Sequence, residues 1–302
     1  MLLGSIEAGG TKFVCAVGNE KYQIIEQETF SSKVPEQTLK ETVEFFQRFP
    51  ELDAIGIAAF GPVEVRLDQA DYGVITNNTP KIAWRNVNLV KTIKDAIDVP
   101  VFITSDVNGS AYGEYVAAKQ RGEKIDSVVY YTVGTGIGAG IVIDGHFIGA
   151  LGLQEMGHVK VKRHPDDLAF GGLCPHHGDC LEGLASGPTF EARTGKNGKN
   201  VPLDDPSWDI MAYYLAQAAV QTTLTVRPNK IVFGGGVLSP KFLDMIRKHF
   251  DQELNGYVDI PPLDEYLTMP EAENNGSATV GDFELARKVL IAGEGHAFAI
   301  DR

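Results

Sequence analysis

The sequence predicts an α/β protein, and three observations carry that reading. Short apolar runs rich in β-branched residues end in glycine turns, and amphipathic helical runs stand between them. One plan, strand then glycine turn with threonine then strand, occurs twice, at residues 3–17 and 127–143. At 302 residues the chain is long enough for about two domains and a large core. Its 43% hydrophobic and 22% charged residues are ordinary for a globular protein.

The first run, LGSIEAGGTKFVCAV at residues 3–17, breaks at Gly9-Gly10 and resumes as a strand. Glycines let a ligand approach the backbone, and a turn lined with N–H groups can hold phosphate, although tight turns also use glycine for structure alone. Glu7, just before the turn, is placed to hold Mg²⁺ through water. The turn is not a P-loop, because Thr11 and Lys12 follow Gly10 and no helix opens there. Cys15 in FVCAV reads as a buried free thiol.

Leu39, Val43, Phe46 and Phe49 share one helical face over residues 35–49. AIGIAA, residues 54–59, reads as a buried strand ending at Phe60-Gly61-Pro62, and a polar loop follows from Thr76 to Asn86. A helix near 89–97 leads to the strand VPVFIT and to Asp106, with a further helix expected over 110–119. Asp106 stands at the carboxyl end of a strand, where open α/β sheets collect ligands. It also fits a helix N-cap, which stabilises by about 1 kcal/mol.

In the second run, Gly134, Gly136 and Ala139 satisfy G-x-G-x-x-A. A dinucleotide fingerprint must open a helix, whereas the strand-like IVIDG follows here, so a duplicated phosphate hairpin is the more economical account. Further on, LASGPTFEARTG suggests a helix start and then a loop. Helices are expected at 210–226, from Ser239-Pro240, and at about 277–290. The strand IVFGGGV, residues 231–237, ends in a third glycine loop.

The densest chemistry lies in residues 155–182, which hold two of the three cysteines and four of the seven histidines. Cys174, His177 and Cys180 form C-x2-H-x2-C, and His158 lies upstream at a loop-length distance. Thiolates and imidazoles at such spacing make a closed four-ligand set suited to structural zinc. His176 is the rival third ligand, with less regular gaps. Glu155 and Glu182 flank the stretch.

A net charge of −13 argues against nucleic-acid or anionic-membrane partners, though not against a nucleotide. No run approaches the ~20 apolar residues of a membrane span. MLLGSIEAGG lacks a basic segment and a signal-length apolar run, and one free thiol beside a zinc pair suits a reducing cytoplasm.

Taken together, these motifs resemble sugar kinases of the ROK family (repressor, open reading frame, kinase), in their fructokinase-like branch, over essentially the whole chain. The carriers are IEAGGTKF at 6–13, SDVNGSAYGE at 105–114, VGTGIGAGI at 133–141, EMGHV at 155–159, CPHHGDCLEGLASGPTF at 174–190 and FGGGV at 233–237. The resemblance implies an actin-like, ribonuclease-H-like fold of two lobes with the sugar in an interlobe cleft. It implies a smaller lobe of 1–115 plus a C-terminal helix at about 284–302, and a larger lobe of 116–283 carrying the zinc knuckle. The activity implied is ATP-dependent phosphorylation of a hexose, D-fructose to fructose 6-phosphate. Glucose, mannose or an N-acetylhexosamine are alternative substrates, and a non-catalytic sugar sensor or a zinc hydrolase are readings from other classes.

Site roles implied by the resemblance follow residue by residue. Gly9, Gly10, Thr11 and Lys12 form the first phosphate loop and Gly134, Thr135 and Gly136 the second, while Gly235 and Gly236 flank the adenosine with Pro188 nearby. Asp106 is the catalytic base. Glu155, His158 and Glu182 hold sugar hydroxyls, with Gly61 and Thr79 as further candidates. ATP, Mg²⁺ and structural Zn²⁺ are the implied cofactors, and a cytoplasmic homodimer is the implied state. His158 is expected to serve metal and sugar through its two ring nitrogens. The sequence departs from common family habit at Glu7 (often Asp), Ser105 (often Asn) and His177 (often a third cysteine). The departures at 7 and 177 suit the fructokinase-like branch, whereas Ser105 removes a possible sugar contact. ROK repressors add an amino-terminal DNA-binding unit, and a chain that begins on its first strand is expected to lie outside that branch.

Overall fold

A computed structural model describes residues 1–149, 151–271 and 276–293. The chain divides into two compact units. The first comprises Met1–Lys124, Val142–Leu153 and the described residues from Glu271; the second comprises Ile125–Ile141 and Gln154–Pro270.

In the first unit, β1 (Leu2–Ala8), β2 (Lys12–Asn19) and β3 (Ile24–Ser31) form an antiparallel meander. β4 (Ala54–Ala59) and β5 (Val101–Ser105) add in parallel beyond β1, giving the order β3-β2-β1-β4-β5. β1, β2 and β4 are buried on both faces, as strands covered on both sides are. β3 is a mostly exposed edge strand whose Glu26 and Glu28 pair with Arg48, a charged edge that discourages further strand pairing. Its lack of an apolar face explains why it leaves no signal in the sequence. Cys15 is fully buried, and burial pushes its thiol up to about 12, so it is inert.

Helices α1 (Pro35–Gln47) and α2 (Leu89–Ala96) match their expected spans closely. α3 runs from Asp106 to Gln120, four residues earlier than its sequence suggests, because Ser105 caps it by accepting from the Asn108 N–H at 3.2 Å. α9 (Gly276–Ala292) crosses α3 with backbone in direct contact. A Cβ on Gly113 would stand 1.7 Å from the Ser277 carbonyl oxygen, and one on Gly281 would stand 2.1 Å from that of Gly109. The helix carrying Asp106 is thereby fixed at its rear. The boundary expected near residue 115 would cut α3, which is one continuous helix, and the units instead divide at Lys124. Of the expected C-terminal helix, residues 294–302 lie outside the described residues.

The second sheet repeats the first in strand order. It contains β6 (Ser127–Val133), β7 (Ile137–Ile143), β8 (His146–Phe147), β9 (Lys230–Gly234) and β10 (Leu267–Thr268) in the order β10-β9-β6-β7-β8. β6, β9 and β10 are parallel, as β1, β4 and β5 are. The duplicated hairpin in the sequence is thus the visible part of a duplicated five-stranded sheet, and a strand rather than a helix does follow Gly136. α4 (Leu181–Ala185) and α5 (Pro188–Thr194) replace the single helix start and loop expected there. α6 (Pro206–Thr225), started by the Asp205 cap, packs on α7 (Pro240–Leu254) and on α4. Arg193 pairs with Asp167 in this unit, both almost fully buried. The short α8 (Leu263–Tyr266) leads into β10.

Candidate functional site

The expected residues of the first unit gather at one end of its sheet. Ala8 pairs with Ala59 and Ala59 with Ser105, so the carboxyl ends of the three parallel strands β1, β4 and β5 lie side by side. They carry, in order, the turn Gly9–Thr11, Phe60-Gly61 and Asp106. The turn is tight: the Gly9 N–H donates to the Glu7 and Lys12 carbonyls, each at 3.0 Å. Because Ser105 holds the cap, Asp106 is not needed as one. Its carboxylate accepts from the Val107 N–H at 2.8 Å. Burial raises its pKa to about 6, with backbone N–H donors working against that rise.

Thr79 lies fully buried in the loop after Gly61, where its hydroxyl accepts from the Lys81 N–H at 3.4 Å and its carbonyl accepts from Arg85. The structure therefore gives it a loop-fastening task that the sequence does not reveal. Lys81, which sequence reasoning passed over, lies directly against the first glycine turn. A Cβ on Gly10 would stand 2.9 Å from Lys81 Cε and 3.7 Å from its Nζ. Its only sequence signal is one lysine in a polar loop, and nothing local says where such a side chain reaches.

The second unit brings together its own half of the expected residues. The Gly187 N–H donates to the Gly134 carbonyl at 2.7 Å, placing Pro188, the first residue of α5, beside the second glycine turn. The Val237 N–H donates to the Val133 carbonyl at 3.1 Å, which brings the Gly235-Gly236 loop to the same turn. Gly235 has φ of 95° and its Cβ would meet Val133 O at 2.4 Å, so only glycine fits. At Gly134 and Gly236, by contrast, a Cβ would meet nothing within 4 Å. Packing therefore does not require glycine at either position.

Glu182 and Glu155 adjoin this turn. Glu182 Oε2 accepts from the Ile137 N–H at 2.9 Å, just past Gly136. Burial raises the Glu155 pKa, the neighbouring His158 opposes that rise, and Glu182 adds to it, so the two carboxylates feel each other.

His158, Cys174, His177 and Cys180 converge so that their ligand atoms all lie within 4.8 Å of one another. His158 Nδ1 is 3.7 Å from Cys174 Sγ and 3.5 Å from Cys180 Sγ; His177 Nδ1 is 3.6 Å from Cys174 Sγ. A tetrahedral site with metal–sulfur bonds of ~2.3 Å and metal–nitrogen bonds of ~2.05 Å has N···S edges of about 3.6 Å. The donor set therefore fits zinc in chemistry and in spacing. The knuckle is closed by reciprocal backbone bonds between Cys174 and Gly178, at 3.2 and 2.9 Å. His177 belongs to the cluster, and His176 does not.

A model of the ROK family matches residues 3–289. The chain is 48% identical over 285 residues to a fructokinase of Lactococcus lactis subsp. cremoris, covering 94% of this chain and 96% of that one. It is 47% identical over 292 residues to a fructokinase of Streptococcus mutans, covering 95% and 98% respectively. Among solved structures, a ROK family glucokinase from Streptomyces griseus in complex with glucose and AMPPNP superposes with a TM-score of 0.72. That match has 24% identity and covers 95% of this chain and 100% of that one. The α/β sugar-kinase fold is the one the sequence predicts. With matching motifs in both units and relatives aligned along nearly its full length, the chain belongs to the ROK family.

Proposed function

We propose that the protein is an ATP-dependent fructokinase that converts D-fructose to fructose 6-phosphate. One observation carries the chemistry: Asp106, freed from capping by Ser105 and raised by burial to about 6, stands at the same end of the sheet as the first glycine turn, with β4 between them. A general base is most effective with its pKa near the working pH. The choice of fructose rests on the full-length likeness to fructokinases.

In the proposed reaction Asp106 accepts the proton of the sugar's primary hydroxyl. The hydroxyl oxygen bonds to the terminal phosphorus, the bond from that phosphorus to the bridging oxygen breaks, and ADP leaves. Such transfers pass through a loose transition state, so positioning and charge neutralisation matter more than covalent help. Gly9–Lys12 and Gly134–Gly136 hold the phosphates, and Gly235, Gly236 and Pro188 flank the adenosine. Mg²⁺ would arrive with ATP and neutralise phosphate charge, and Glu7 near the end of β1 would be the carboxylate to hold it through water.

Glu155, His158 and Glu182 hold sugar hydroxyls. Since His158 turns Nδ1 to both sulfurs, its Nε2 is the atom left for sugar. Zinc held by His158, Cys174, His177 and Cys180 supplies a structural clamp on the loop that carries these residues. Four protein donors leave no open position, which disfavours a hydrolytic role. Among the described residues no helix is long and apolar enough to cross a membrane. The homodimer implied by the family resemblance is read by light scattering. An ADP-release assay with Mg-ATP over a panel of hexoses tests the activity: turnover greatest with fructose is expected, and none with any hexose would refute it.

A further inference from the structure

Beside the first glycine turn lies a hollow of about 350 Å³, lined by Gly10, Thr11, Ser32, Lys33 and Lys81 among others. Its lining includes two lysines and no carboxylate, in a chain with a net charge of −13. No ion pair engages Lys81 among the described residues. Its ammonium stands 5.7 Å from the centre of the Phe60 ring, near the outer limit of a cation–π contact, so its N–H donors stay available.

Ser32, 2% exposed, has a buried hydroxyl with no hydrogen-bond partner among the described residues. Its backbone is committed: the N–H donates to the Thr11 carbonyl at 3.2 Å, and the carbonyl accepts from Trp84 Nε1 at 2.8 Å. A buried polar atom without a partner costs free energy unless a ligand or water supplies one. An ammonium without an ion pair, an orphaned hydroxyl and a glycine turn thus border one hollow.

We infer that Lys81 grips the terminal phosphoryl group of Mg-ATP at the Gly10 turn, with the Ser32 hydroxyl as a supporting donor. This deepens the fructokinase reading and rests on it. The contact lies outside every phosphate motif in the sequence. It also joins two tasks in one loop, because the Lys81 N–H is fastened to the Thr79 hydroxyl. Charge on the transferred group is spread over its oxygens in the transition state, and an ammonium held there neutralises it without moving.

The test compares wild type with Lys81→Met, which keeps the apolar stem, and Lys81→Arg, which keeps the charge. Affinities for ADP and for a non-hydrolysable ATP analogue are measured by calorimetry, alongside kcat, the KM for fructose and the melting temperature. Lys81→Met should weaken the analogue about 10-fold while moving ADP less than about 2-fold, and should lower kcat by about 10- to 100-fold. Lys81→Arg should recover part of both, and Ser32→Ala should weaken the analogue a few-fold. The inference is overturned if analogue and ADP affinities shift together, if neither shifts, or if only the KM for fructose changes. Should the wild type phosphorylate no hexose, the fructokinase reading fails, whereas the difference between analogue and ADP still reports on Lys81.

Discussion

Glu182 Oε2 accepts a hydrogen bond from the Ile137 backbone N–H at 2.9 Å, so the carboxylate two residues past the last knuckle cysteine props the second glycine turn. A Cβ on Gly136 would stand 2.5 Å from that same oxygen. The Cys/His knuckle and the second glycine turn are thus one assembly within the second unit.

Gly136→Ala should push Glu182 off its Ile137 donor, lowering kcat/KM for Mg-ATP about 10-fold or more and lowering the melting temperature. Gly134→Ala, whose Cβ has open space, should melt as the wild type does yet bind nucleotide more weakly. Equal thermal effects from the two variants would remove the distinction drawn here.

Metal analysis of purified protein should find one zinc per chain in the wild type and in His176→Ala, and loss of zinc in His177→Ala and Cys180→Ser. Chelation should lower the melting temperature by about 5 °C or more, because metal binding is coupled to folding. His158→Ala should weaken both zinc and sugar binding; losing only one would break its dual assignment.

Asp106→Asn should reduce turnover by at least about 10²-fold while sugar affinity changes little. In the proposed reaction the active form of Asp106 is the deprotonated one. Activity in kcat/KM should therefore fall as pH drops through about 6 and level off above it. An acid limb near pH 4 would mean that burial does not tune this carboxylate.

Asp282 on α9 is fully buried and its Oδ2 accepts from Ser5 Oγ at 3.0 Å. Burial raises its pKa well above the usual carboxylate value, and the nearby Glu7 adds to the rise. A folded-state pKa above the unfolded one contributes stability at low pH that is lost as pH rises through the folded value. Asp282→Asn should therefore gain in melting temperature over wild type as pH increases from 5 to 8. Each ~1 kcal/mol is worth about 2–4 °C in domains of 150–250 residues. A constant difference across that range would show that Asp282 does not titrate there.

Much of the architecture was legible because it is written locally. Apolar runs such as AIGIAA and VFIT, punctuated by glycine, read directly as the parallel strands that end at the site. The helix carrying Asp106 began earlier than expected because a capping serine outweighed the helix-breaking look of Asp-Val-Asn-Gly. β3 and β10 escaped notice, the one exposed and charged and the other only two residues long. Neither offers the alternation on which sequence reading depends.

By itself, the sequence determined the α/β class, the two glycine hairpins, the knuckle spacing and the carboxylate at the end of β5. Each of these is a pattern within a few residues, where backbone geometry and ligand chemistry leave little choice. Only the tertiary structure decided that His177 rather than His176 joins the cluster and that His158 turns Nδ1 to the sulfurs. It alone placed Glu182 under Ile137 and Lys81 over Gly10. Those contacts join segments far apart in the chain, and packing within each unit, not any local periodicity, selects which side chains meet.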